Sequence, residues 1–509
     1  MYFYRILIAI AFIVQSPSSL ADSLQNIDHI IIIYGENRSF DNLYGMFPGA
    51  DGVMDLKSIQ YQQVDNDGNP FKYLPQVWKK SKKIDIDPQF EGKPALPNHP
   101  FRLDANPYNI SLNEKTRDLV HRFYQHQEQI NEGRNDRFAA VSDAGGLVMG
   151  YYDGSNMRLW KFAQEYTLAD HFFMAAFGGS FLNHMWLACA CTPVYPNAPP
   201  EMKSNVDASR IKLTRKKDSP SSALDGPPKW NKDAALTDDG FAVNTMQPPY
   251  QPSEIPPAND GDPRMASTQD GNKLPLPPQN QPTIGDRLSD KHVSWIWYSG
   301  GWNQALEDRM QEPSILRKVI KTLGKVMGDK NNSAQNFQTH HQPYNYFENY
   351  APGTSRRKEH LKDYKDLLSD IEHGALPSVV FYKPQGNLNQ HPGYANVLDG
   401  DEHIAELIDK IRKGPQWNSS LIIVTYDENG GFWDHVPPPK GDRWGPGTRI
   451  PTILISKWVK KHFVDHTIYD TTSILKLIAK RFNLEPLPGV RQSMGDLTTT
   501  LELGEHPPN

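Results

Sequence analysis

Cysteine is almost absent. The 509 residues hold two, Cys189 and Cys191, two positions apart in "HMWLACACTP". The fold must therefore rest on a buried core and not on a disulfide framework. A bridge between residues so close in sequence would be badly strained, so both read as small buried residues of one helix. An excess of positive charge is also missing: 54 Lys and Arg face 59 Asp and Glu, well interspersed, for a formal net charge of -5. Without a basic stripe to track a phosphate backbone, nucleic acid is not an expected partner. After the N-terminus, no apolar run reaches the length of a membrane-spanning helix.

The N-terminal "MYFYRILIAIAFIVQSPSSLADS" has one early cation, Arg5, an apolar stretch from Ile6 to Val14, and small residues at Ser19 and Ala21. That layout reads as a signal peptide cleaved after Ala21, with an uncleaved anchor as the alternative. The mature protein is then expected in the periplasm or outside the cell. Its oligomeric state is not fixed by sequence. Residues 22–509 read as one catalytic domain. Two irregular insertions interrupt it, at about 53–113 and about 199–282; the second is rich in Pro, Asn, Asp and Ser and reads as a surface excursion ordered only where it packs on the core.

Five apolar runs have the character of strands buried on both faces: residues 29–34, 293–299, 378–383, 420–426 and 451–456. Helical patterns alternate with them. In "DEHIAELIDKIRKG" the apolar Ile404, Leu407, Ile408 and Ile411 share a face and Gly414 stands at the expected end; "DTTSILKLIAKRFNL" opens on capping residues. The fold class is α/β, a central mostly parallel sheet with helices on both faces and long loop insertions.

The chemistry-bearing residues follow those runs. The first strand ends on Glu36 and Asn37, and the run 420–426 ends on Asp427 and Glu428. Ligands of open α/β sheets gather beyond the carboxyl ends of strands. In "FGGSFLNH", Gly178, Gly179 and Ser180 precede a helical run, which puts the Ser180 hydroxyl at a helix N-terminus, a natural anion site. Clustered carboxylates beside a hydroxyl suit a divalent metal, zinc or another cation, that activates the hydroxyl; a ligand wanting both a cation and N–H donors is a phosphate ester. His99, His340, His341 and His391 lie in polar, Pro-containing stretches that read as loops.

The strings "ENRSFDNLYG", "FGGSFLNH", "HHQPYNYF", "NQHPGYANVLDGDEHIAELI" and "VTYDENGGFWDHVPPP" closely resemble the bacterial phosphoesterase family of acid phosphatase A and the phospholipase C enzymes, in the alkaline phosphatase superfamily. The resemblance implies an alkaline-phosphatase-like fold and a covalent phosphoryl-enzyme intermediate. It implies Ser180 as nucleophile and Glu36, Asn37, Asp427 and Glu428, with Ser180, as the metal environment. It further implies His99, His340, His341 and His391 as phosphate contacts or proton donors. The phospholipase C branch typically carries Thr-x-Pro-Asn-Arg; here Ser180 is followed by Phe181, Leu182 and Asn183. That leaves phosphate to be held by amides such as that of Gly179, by Asn183 and by histidines, and favours the acid phosphatase branch.

The expected function is thus an exported, metal-dependent hydrolase of phosphate monoesters working through a phosphoserine. Histidines cationic below about pH 6.5 would give it an acid optimum. The first alternative is a phospholipase C acting on phospholipid head groups, and the second an inactive binding protein on the same fold.

Overall fold

The computed structural model describes residues 24–54, 56–80, 84–271, 273–309 and 337–502. The segment read as a signal peptide, residues 1–21, lies outside them. Among the described residues, no helix is long and apolar enough to cross a membrane.

Eight strands form the central sheet: β1 (His29–Gly35), β2 (Thr167–Ala169), β3 (Trp295–Ser299), β4 (Leu361–Asp363), β5 (Val379–Lys383), β6 (Ser420–Tyr426), β7 (Thr452–Ser456) and β8 (Phe463–Asp465). Their order across the sheet is β8-β2-β7-β6-β1-β5-β3-β4. All run the same way except β7, which is antiparallel to both neighbours. The sheet is mostly parallel, and the five apolar runs in the sequence are its long strands. The three-residue strands β2, β4 and β8 are too short to carry a period.

The four consecutive isoleucines explain the centre. Ile30–Ile33 are fully buried in β1, which lies between β6 and β5 with the pairings Ile31↔Ile422 and Ile31↔Val380. A strand paired on both edges and covered on both faces has no solvated side, so polar alternation is not needed. Two helix pairs flank the sheet: α1 (Arg158–Glu165) packs on α3 (Val397–Lys413), and α2 (Ser180–Cys189) on α4 (Thr471–Phe482). In α3 the expected face, Ile404, Leu407, Ile408 and Ile411, is buried.

Both irregular stretches feed the core with scattered apolar residues. Leu74, Leu103 and Ile110 are buried from one, Leu236, Val243 and Leu276 from the other. Short bridges tie them down, as at Gln279↔Phe347.

One expectation is overturned. Cys189 and Cys191 are joined in a disulfide, with Cα atoms 5.1 Å apart. They do not share a helix: α2 ends at Cys189, and Ala190 takes a left-handed conformation at φ 45°. A continuing helix would point side chains two apart to nearly opposite sides; the reversal at Ala190 brings the sulfurs together instead.

Candidate active site

The centre of the sheet sets the site. Because β6, β1 and β5 are adjacent and parallel, their carboxyl ends deliver Asp427 and Glu428, Glu36 and Asn37, and Lys383 to one place. Two tight backbone passages hold these ends together. Asn37 has φ 59° and donates its N–H to Asp427 Oδ1 at 3.0 Å. Gly430, at φ 62°, runs against Asn37, where a Cβ would lie 2.3 Å from the Asn37 carbonyl oxygen.

Ser180 is the first residue of α2, with Gly179 as N-cap. Gly178, at φ 94°, lies so close to the 121–123 segment that a Cβ would sit 2.6 Å from Phe123 N. The turn thereby brings the Ser180 hydroxyl over the strand ends. Its Oγ is 3.3 Å from Glu36 Oε1, 3.3 Å from Asn37 Oδ1 and 3.4 Å from Glu428 Oε1. One hydroxyl proton serves one of three acceptors, so the other two oxygens face the hydroxyl oxygen without a proton from it. Asp427 Oδ2 is buried and has no hydrogen-bond partner. Burial pushes Asp427 up to about 6, and burial together with Asp427 pushes Glu428 well above its ordinary value. Such crowding of buried oxygens fits a divalent cation held by Glu36, Asn37, Asp427, Glu428 and Ser180.

Glu36 is held differently. Its Oε2 meets Lys383 Nζ at 2.9 Å and accepts a bond from Asn389 Nδ2; its Oε1 meets His341 Nε2 at 2.8 Å. Although burial raises its pKa, His341 and Lys383 hold the carboxyl well below the usual range.

A cavity of about 980 Å³ opens over Ser180. Glu36, Gly179, Ser180, His340 and His391 line it, together with the apolar Leu119, Phe181 and Val243. His391 Nδ1 donates to the Pro392 carbonyl, and its Nε2 accepts from Asn37 Nδ2 at 2.9 Å, which is the pattern of a neutral imidazole. Burial lowers His391 to about 4 and lowers His340 and His341 as well. For these three, desolvation works against the cationic state expected below pH 6.5 and is the largest influence, ahead of the acidic neighbours.

Three candidates stand elsewhere than expected. His341 is not at the cavity wall; it packs behind Glu36, its ring stacked on His184 at 4.8 Å. Asn183 is spent on the backbone: it accepts from Ala176 N and donates to the carbonyls of Ala176 and Gly179. It shapes the Ser180 turn and has no hydrogen left for substrate. His99 is exposed, bonded to its neighbour Pro100 and set against Tyr61, away from the cavity.

The structure adds residues that sequence reading passed over. His121 lines the cavity, with Nε2 3.5 Å from Asn37 Nδ2 and 3.7 Å from Glu428 Oε1. Nothing in its local sequence marks it. Lys383 had a signal: like Glu36 and Asp427, it is a charged residue closing an uncharged apolar run.

A hydroxyl at a helix N-terminus inside a ring of carboxylates, beyond the carboxyl edge of a parallel sheet, combines a nucleophile, N–H donors and cation ligands in one place. The chain is a hydrolase acting on phosphoester bonds. The family model described as "Phosphoesterase family" matches residues 27–485, and the chain belongs to that family. Phospholipase C A of Mycobacterium tuberculosis is 24% identical over 522 aligned residues, covering 96% of this chain and 79% of its own. Non-hemolytic phospholipase C of Pseudomonas aeruginosa is 23% identical over 94% of this chain and 57% of its own, so this chain spans little more than half of that relative. A solved protein of the alkaline phosphatase superfamily from Vibrio parahaemolyticus aligns over 79% of this chain and 76% of that chain, with 9% identity and a TM-score of 0.32.

Proposed function

We propose that this protein is a phospholipase C, hydrolysing the phosphodiester that joins diacylglycerol to a phospholipid head group, with Ser180 as nucleophile. The convergence of Glu36, Asn37 and Glu428 oxygens on Ser180 Oγ carries the chemistry. The names of the long-range relatives support the substrate class.

A phospholipase C in place of the expected monoesterase rests on the names of these relatives.

Glu36, Asn37, Asp427, Glu428 and Ser180 would hold a divalent cation, which would supply a lowered pKa for the Ser180 hydroxyl and an offset to charge on the phosphoryl oxygens. Ser180 Oγ forms the bond to phosphorus, and the ester bond to the diacylglycerol oxygen breaks. The first free N–H groups of α2 donate to the non-bridging oxygens. His121 Nε2, at the cavity wall, takes up the Ser180 proton and hands it to the leaving oxygen. Water then cleaves the phosphoserine and releases the phosphorylated head group. Leu119, Phe181 and Val243 give the glycerol end an apolar wall.

Export belongs to this proposal: the Cys189–Cys191 disulfide suits an oxidising compartment. A second reading, monoester hydrolysis, is favoured by one observation, the run Ser180-Phe181-Leu182-Asn183 in place of the phospholipase C pattern. Phosphorus NMR of the purified enzyme with phosphatidylcholine and with p-nitrophenyl phosphate separates them. Phosphocholine release with little inorganic phosphate is the expected result; the reverse establishes the monoesterase.

A further inference from the structure

A second set of metal-ligating side chains stands on the same sheet edge, away from Ser180. Strands β2 and β8 are parallel neighbours with Ala169 opposite Asp465, and Asp170 N–H donates to the Asp465 carbonyl at 3.1 Å. The residues just beyond both strands, Asp170 and His171 on one and His466 on the other, are thereby brought side by side. Between β2 and β1 lie β7 and β6. At about 4.8 Å per strand step, that places the cluster roughly 14 Å across the sheet from Glu36.

The cluster is built around one carboxylate. Asp170 is fully buried, and its two oxygens each meet an imidazole: Oδ1 lies 2.8 Å from His171 Nδ1 and Oδ2 2.8 Å from His466 Nδ1. The rings stand at 81° to each other, so the two nitrogens approach from different directions. One ligand atom from each of the three residues lies within 4.8 Å of the others. In a tetrahedral zinc site with bonds of about 2.0–2.1 Å, such atoms are about 3.3 Å apart, a closure within reach of side-chain rotation.

An independent feature surrounds these three. Asp51 Oδ2 lies 3.5 Å from His171 Nε2, the ring nitrogen facing away from Asp170, and Asp51 N–H donates to Asp170 Oδ2 at 2.8 Å. A carboxylate behind the far nitrogen of a histidine is the arrangement that fixes the tautomer and orients a metal-ligating ring. His466 is 59% exposed, which leaves the fourth position to solvent.

We propose that Asp170, His171 and His466 form a second, rim metal site for a zinc-class transition-metal ion, distinct from the centre at Ser180. Two imidazoles and one carboxylate favour zinc over magnesium or calcium, which prefer all-oxygen shells. The ion would clip β8, the edge strand, to β2.

The test compares full-length wild type with His466→Ala and His171→Ala. Each protein is loaded with excess zinc, desalted and analysed for metal. Wild type should hold one zinc more per chain than either variant, and zinc should raise the melting temperature of wild type but not of His466→Ala. Equal zinc content in all three overturns the site. Should a variant fail to fold, wild type alone decides: zinc should protect the peptides carrying His171 and His466 from diethyl pyrocarbonate, and unprotected modification at both overturns it.

Discussion

Lys383 Nζ lies 2.9 Å from Glu36 Oε2, and both side chains are 1% exposed. The same ammonium donates to the Gly35 carbonyl at 3.1 Å and lies 3.9 Å from Asp427 Oδ2. It is a fixed positive charge, delivered by β5, beside the carboxylates that β1 and β6 deliver. Removing one member of a buried pair leaves the other uncompensated, at about 3–5 kcal/mol. Lys383→Met should lose stability on that scale in urea unfolding of chelator-treated protein. An unchanged midpoint would mean that Glu36 is neutralised by His341 alone.

Ser180→Ala should lower kcat by at least about 10³-fold while leaving the fold unchanged, as removal of an activated nucleophile does. Acid quenching of wild type during turnover should leave phosphate on the peptide containing Ser180. Near-normal turnover in the variant, or phosphate trapped on another residue, defeats the assignment.

Chelation should silence the enzyme, because the buried oxygens around Ser180 otherwise repel one another. Asp427→Asn removes one of the charges that hold the cation, so elemental analysis should find less metal at this centre together with a lower rate. Full occupancy with full activity would take Asp427 out of the metal environment.

Asn183 and His99 should part company. Asn183→Leu breaks three hydrogen bonds to the Ser180 turn, and each buried group left unsatisfied costs about 1–3 kcal/mol, so melting temperature and kcat should fall together. His99→Ala, altering an exposed side chain away from the cavity, should change neither. A large rise in KM for His99→Ala would restore it as a substrate contact.

Stability should decline on the alkaline side. Burial lowers the pKa of His435, but Asp41 and Asp51, at 2.8 and 2.9 Å, outweigh it and raise the group from 6.5 to about 10. A folded pKa above the unfolded one means that the native state binds the proton more tightly, so the contribution is complete below pH 6.5 and lost as pH rises through about 10. Urea midpoints taken across that window should fall in wild type. In His435→Gln this part of the slope should vanish; an identical slope would assign it to other groups.

Much of this was legible in the chain itself. An uncharged β-branched run has few places to go except a strand covered on both sides, so the long strands, the mostly parallel sheet and the polar residues at their ends follow from local composition. Glu36, Asp427 and Ser180 stand out because each follows a pattern that a short window contains. The bond between Cys189 and Cys191 does not, since it depends on a left-handed residue where a helix was expected to continue. Only the tertiary structure decided the rest. The adjacency of β6, β1 and β5 joins residues nearly 400 positions apart, and the placement of His121, the retreat of His341 behind Glu36 and the exposure of His99 depend on how irregular segments pack across the sheet edge. Local sequence sets which conformations a segment prefers; the choice of neighbours is made by burial shared across the whole chain, and the site exists only where those neighbours meet.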